Sequence, residues 1–113
     1  MVIGLSQRVL FHKNRPHDSL EHNWYNFLEN HILYQVQNKI EQDFDQLSDN
    51  LDILILTGGN DPIIRRITEL RLASAMMLKQ KPILGVCHGA FLLTELLGGI
   101  IGSDFNHMDS EHI

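Results

Sequence analysis

The stretch Asp52 to Thr57 reads DILILT, apolar on both parities of an extended chain. A strand that shows no inside/outside alternation is covered by protein on both faces, as parallel strands flanked by helices are. A second run of this kind, Pro82 to Cys87 (PILGVC), follows after one helix-sized interval. Two doubly covered strands joined through a helix constrain the fold to a layered α/β arrangement with crossover connections. The 113 residues, 43% of them hydrophobic, are enough for one such domain.

The intervening segment supports this reading. Gly58 and Gly59 stop the first strand, and Asn60-Asp61-Pro62 reads as a helix entry. Asp61 is placed to cap free N–H groups, and Pro62 fits the first helical position. A helix is predicted over residues 63–79, with Ile63, Ile67, Leu70, Ala73 and Met77 turned inward and Arg65, Arg66, Glu69 and Arg71 outward. Behind the second run, His88 to Leu97 reads as a helix closed by Gly98-Gly99.

The first half of the chain is less regular. Val2 to Ser6 (VIGLS) suits a buried strand, and Gln7 to His17 is a polar segment too broken for a helix. Asp18 and Glu21 have capping-box spacing, so a helix is expected from near Ser19, with Leu20, Trp24, Phe27 and Leu28 on one face. Ile32, Tyr34 and Val36 alternate as in a strand, against the competing continuation of the helix through Gln37. Asn38 to Asn50 is acid-rich and reads as a solvated connector, with room for a helical turn or two. The order is β, α, β, connector, β, α, β, α, which predicts a doubly wound, mostly parallel sheet flanked by helices.

Charge and composition exclude several function classes. The formal net charge is −5 and no Lys/Arg-rich run occurs, which argues against a nucleic-acid partner. No apolar stretch approaches the roughly 20 residues needed to span a bilayer, and no charged-then-apolar leader opens the chain, so no membrane association and a cytoplasmic location are expected. A single cysteine, Cys87, excludes an internal disulfide framework and a multi-cysteine metal site. No histidine pairing at i, i+4 suggests a metal, and no cofactor is expected.

Chemistry concentrates in Gly85-Val86-Cys87-His88-Gly89, at the junction of a buried strand and a helix. This is a nucleophile-elbow pattern with cysteine at the nucleophile position. Residues two places before and after the nucleophile must lack side chains there, because strand and helix close tightly around it. The helix N-terminus also favours thiolate over thiol. The ordinary alternative for a lone cysteine is a small buried residue. The His88 N–H is the standard first oxyanion donor at an elbow, and a second is expected from the Gly58-Gly59 turn at the same carboxyl edge.

Three segments, VIGLSQR at the start, LTGGNDP (Leu56 to Pro62) and PILGVCHGAFLLTELLGG (Pro82 to Gly99), resemble the N-terminal part of the class I glutamine amidotransferase superfamily, nearest its γ-glutamyl hydrolase branch. The resemblance extends over essentially the whole chain, although that family's domain is longer, so it implies that residues 1–113 are a truncated N-terminal part of such a domain. It implies a flavodoxin-like fold and cleavage of γ-glutamyl amides through a γ-glutamyl thioester. Carried over by position, Cys87 is the nucleophile, Gly59 and His88 line the oxyanion hole, and Gly85 and Gly89 permit the elbow, with Gly58 beside them. A member acting on a γ-glutamyl-CDP-amidate would fit this branch.

Two departures matter. Phe91 stands where many relatives carry a substrate-holding Gln four residues after the cysteine, which points away from free glutamine and toward a small-molecule γ-glutamyl conjugate. The His-x-Glu pair that completes the family's triad does not occur in these 113 residues. His107 and His112, near Asp109 and Glu111, are the remaining candidates for an oriented base, against an acidic, solvated tail. The missing base could come from a second chain or a synthetase partner. The competing functions are a catalytically incomplete interaction module, and another cysteine-elbow protein handling oxidised thiols or small aldehydes.

Overall fold

A computed structural model describes residues 1–98 of the chain. In chain order the elements are β1 (Val2–Leu5), β2 (Arg8–His12), β3 (Arg15–Ser19), α1 (Asn23–Phe27), β4 (Ile32–Gln35), α2 (Phe44–Asn50), β5 (Ile53–Leu56), α3 (Ile63–Leu78), β6 (Ile83–Gly85) and α4 (His88–Leu96). Four strands form one parallel sheet in the order β4-β1-β5-β6. Counted among themselves they run second, first, third, fourth, the flavodoxin-like doubly wound order, with its switch point between β1 and β5.

The absence of alternation in DILILT has a direct cause. Leu54 and Leu56 join Val36, Leu51, Leu72, Ala73, Met76 and Leu92 on the face covered by α2, α3 and α4. Ile55 joins Ile3 and Leu5 on the opposite face, under Leu20, Trp24 and Leu28. Each fully buried aliphatic side chain contributes about 1.5–3 kcal/mol, so both parities of β5 must be apolar. β6 departs from the expectation of cover on both faces. Leu84, in register with Ile55, is 42% exposed.

The polar segment after β1 is a β-hairpin, which its composition concealed. β2 and β3 pair antiparallel from Arg8 opposite Ser19 to His12 opposite Arg15. Lys13 (φ 50°) and Asn14 (φ 63°) make the two-residue turn, with the paired positive φ values of a type I′ connection. Asp18 therefore lies in a strand and caps nothing. Its carboxylate accepts from the Asn38 N–H (3.1 Å) and the Asn38 Nδ2 (2.9 Å), tying the hairpin to the segment after β4.

Without that cap the first helix shrinks to α1, which starts after His22 and buries no residue completely. Phe27, expected on its inner face, is 78% exposed. The acid-rich connector contains α2, capped by Asp43 accepting from the Gln46 N–H (2.9 Å). Lys81 Nζ closes its far end by donating to the carbonyls of Ser48, Asp49 and Leu51.

The largest correction concerns α3. Its buried face is Arg65, Thr68, Glu69, Leu72, Ala73 and Met76, whereas Ile63 is 72% and Met77 is 40% exposed. Arg65 and Glu69 are thus inside, not outside. Pro62 is the N-cap rather than the first helical residue, and Asp61 gives no capping bond but pairs with Arg66 at 3.2 Å. Among the described residues no helix is long and apolar enough to cross a membrane.

Candidate active site

Between β6 and α4 the backbone turns sharply at Cys87, whose φ of 53° and ψ of −111° lie where residues with a Cβ are strained. Such a conformation costs about 1–3 kcal/mol and persists only when its surroundings impose it. Here the imposing bonds are Gly89 N–H to the Val86 carbonyl (2.9 Å) and Ala90 N–H to the Cys87 carbonyl (3.0 Å). The flanking glycines are required by space. A Cβ on Gly85 would lie 2.6 Å from the Gly89 oxygen, and one on Gly89 would lie 2.1 Å from the Leu56 oxygen. The elbow expected from the pentapeptide is present, and the Cys87 side chain is exposed, not buried among aliphatic groups.

The two glycine turns come together at this edge. A Cβ placed on Gly58 would stand 3.4 Å from Cys87 Cβ and 3.9 Å from its Sγ, so the double-glycine loop lies directly against the thiol. Gly59 has φ 124°, and any side chain on it would collide with the Arg8 stem. Among the described residues neither the Gly59 N–H nor the His88 N–H has a hydrogen-bond acceptor. Gly58 also lines a cleft of about 250 Å³ together with Arg8, Ser19, Glu21, Trp24 and Thr57. That cleft sits beyond the ends of β1 and β5, at the switch point where doubly wound sheets bind ligands. Phe91 lies one turn into α4, 63% exposed, its N–H directed at the Cys87 carbonyl (3.4 Å).

Beneath the double-glycine loop runs a fully buried guanidinium. Arg65 donates to the carbonyls of Thr57 (2.6 Å), Gly58 (3.3 Å) and Asn60 (2.9 Å), to Thr57 Oγ1 (3.2 Å) and to Glu69 Oε2 (3.3 Å). Its Nε is also 3.2 Å from Glu69 Oε1. The chain leaves β5 here and its carbonyls lose their strand partners. Arginine alone among side chains offers five donors in a rigid fork to satisfy such a group. Asn60 adds a second tie, its side-chain amide pairing with both the N–H and the carbonyl of Val9 in β2.

Among the described residues no histidine forms a hydrogen bond to the Cys87 thiol. The His88 ring turns toward α3, with Nε2 at 3.5 Å from both Asp61 Oδ1 and Glu69 Oε1. His12 and His17 face each other across the hairpin at 6.2 Å, and His22 rests on Tyr25 at 5.7 Å. His107 and His112 lie outside the described residues.

The chain is a flavodoxin-like α/β domain with a cysteine on a strained strand-to-helix elbow at the carboxyl edge of its parallel sheet. The family profile described as glutamine amidotransferase class-I matches residues 17–112, and the chain belongs to that family. Membership supports hydrolase chemistry of the amidotransferase type. No curated protein matches the chain.

Arg8, Asn60, Arg65 and Glu69 brace the candidate site, and motif spacing alone does not reach them. A signal for two of them existed. Arg65, Thr68, Glu69, Leu72, Ala73 and Met76 fall at i, i+3, i+4, i+7, i+8 and i+11, one continuous helical face.

Proposed function

We propose that Cys87 is the nucleophile of a hydrolase that cleaves γ-glutamyl amide bonds through a γ-glutamyl thioester. One observation supports this above the others: an exposed sulfur on a strained elbow lies against a glycine loop whose N–H group is uncommitted. In the first step the Sγ–carbon bond forms at the γ-carbonyl, the carbon–nitrogen bond breaks, and the thiol proton leaves with the amine. Water then cleaves the thioester, releasing glutamate and restoring the thiol. The N–H groups of Gly59 and His88 donate to the oxyanion in both steps, each donor of this kind being worth about 2.7–4 kcal/mol of barrier.

The cleft beside Gly58 accommodates the substrate. Phe91, in the place of an amide side chain, favours a γ-glutamyl conjugate over free glutamine. A γ-glutamyl-CDP-amidate belongs to that class, as do other small conjugates of the γ-glutamyl hydrolase branch. The base for deacylation comes from outside the described residues, from those beyond Gly98 or from a partner chain.

Incubation of the chain with γ-glutamyl p-nitroanilide, followed by intact mass, tests the reading. A γ-glutamyl adduct on Cys87, absent in Cys87→Ser, is the expected result. Adduct without turnover assigns the chain an acylation half-reaction. A folded protein that forms no adduct while its thiol still reacts with iodoacetamide leaves the interaction-module reading in its place.

A further inference from the structure

We propose that Arg65 is the positioning residue of the oxyanion site: by gripping the Gly58 carbonyl from below, it fixes the direction of the Gly59 N–H. The inference rests on the γ-glutamyl hydrolase reading and adds to it a device that sets the oxyanion donor. The argument begins with the peptide unit. The Gly58–Gly59 peptide is trans, since the described residues hold no cis bond, so its C=O and N–H point in opposite directions. Arg65 Nη1 donates to the Gly58 carbonyl at 3.3 Å from beneath the loop. The Gly59 N–H is therefore directed away from the guanidinium.

Left to itself, this peptide has no reason to keep that orientation. Two glycines in succession populate positive and negative φ almost equally, so the unit between them rotates at little steric cost. Arg65 removes the freedom by holding the carbonyls on both sides as well, Thr57 at 2.6 Å and Asn60 at 2.9 Å. Of the four consecutive carbonyls from Thr57 to Asn60, Gly59 is the one it leaves alone. Glu69 and His88 complete the assembly. Glu69 Oε1 lies 3.2 Å from Arg65 Nε and 3.5 Å from His88 Nε2, so one buried carboxylate faces both residues that set the two oxyanion donors. A buried charge costs several kcal/mol unless paired. Its retention beneath a loop that a simple turn could close is what a preorganised donor requires.

The test compares two reactions of the same sulfur in the full chain. Acylation of Cys87 by γ-glutamyl p-nitroanilide needs an oxyanion donor, and alkylation by iodoacetamide does not. Arg65→Met is expected to slow acylation by about 10²–10³-fold, the loss typical of one missing donor, while alkylation stays unchanged. Arg65→Lys, which keeps the charge and part of the hydrogen bonding, is expected to fall between Arg65→Met and the wild type. Crystal structures of the wild type and the two variants give a readout independent of activity. The Gly58 carbonyl turns away in Arg65→Met and keeps its direction in Arg65→Lys. Parallel losses in both reactions for both variants, or a Gly58 carbonyl unmoved in Arg65→Met, overturn the proposal. Should wild-type Cys87 alkylate and never acylate, the hydrolase reading falls, and the carbonyl direction still decides what Arg65 does.

Discussion

Over its last turns α3 buries Leu72, Ala73 and Met76 against the sheet, whereas over its first turns the same face buries Arg65, Thr68 and Glu69. The helix geometry is continuous, and what changes is the surface it meets. The later turns lie on Leu54 and Leu56, whose backbone groups are satisfied within the sheet. The earlier turns lie under the departing chain at Thr57 to Asn60, where carbonyls need donors. The hydrophobic half holds the sheet, and the polar half shapes its carboxyl edge. Pairs of variants, one in each half, separate the two roles.

The largest effect belongs to the polar half. Arg65→Met leaves Glu69 buried without its cation and is expected to cost about 3–5 kcal/mol in urea unfolding, as breaking one side of a buried pair does. The double variant Arg65→Met/Glu69→Leu removes both charges and is expected to regain most of that loss. It does not regain the acylation of Cys87, because the Gly58 carbonyl still lacks its donor. A double variant as unstable as the single one would mean that the carbonyl bonds, not the charge pair, dominate the energetics of this half.

The hydrophobic half gives the next effect. Leu72, 1% exposed, contacts the core beneath β5, and Leu72→Ala is expected to cost about 2–5 kcal/mol. Leu72→Met, which conserves volume, costs less than about 1.5 kcal/mol. Neither alters the ratio of acylation to alkylation at Cys87. Ile63→Ser, at the exposed start of the helix, shifts stability by no more than about 0.5 kcal/mol. A stability loss at Ile63 comparable to that at Leu72 would restore the inward stripe that apolar residues alone suggest.

The same contrast explains how much the sequence disclosed. β1, β5, β6 and the extent of α3 were legible because apolar runs and glycine stops report backbone pairing directly. The elbow was legible because crowding at Gly85 and Gly89 leaves only one residue type. Apolar character as the sign of burial misplaces the face of α3, because Arg65 and Glu69 continue the period of Leu72 and Met76. The hairpin was invisible for a different reason. Its turn is Lys13-Asn14, without the glycine that usually marks positive φ, and its strands are mostly exposed. The contact of Gly58 with Cys87 followed from topology, since β5 and β6 are neighbours ending at one edge. The cleft did not, because Arg8 and Ser19 reach it from the two ends of that hairpin and Glu21 from the residues just after it.

The smallest effect comes from the charges at the other end of α3, where water takes the place of the protein interior. Lys79 Nζ pairs with Asp49 at 2.7 Å and Asp45 at 3.0 Å, joining the end of α3 to α2. The hydrogen bond from Lys79 holds the Asp49 carboxyl below its ordinary value of 3.8, against a lesser opposing effect of desolvation. Desolvation pulls the Lys79 ammonium down, but its hydrogen bonds with Asp49 and Asp45, and their charges, together raise it above 10.5. A depressed acid stabilises the fold above its unfolded value and loses that contribution as the pH falls through the folded one. A raised base contributes below its unfolded value and loses it as the pH climbs through the folded one. The pair is therefore at full strength between about pH 4 and pH 10, fading below 3.8 and above 10.5. Thermal midpoints of the wild type and Lys79→Met should differ on that plateau and converge toward both extremes. Added salt should shrink the plateau difference, because these charges are exposed to screening. The buried Arg65–Glu69 pair should show no such salt response, and equal salt sensitivity at the two ends of α3 would erase the distinction between them.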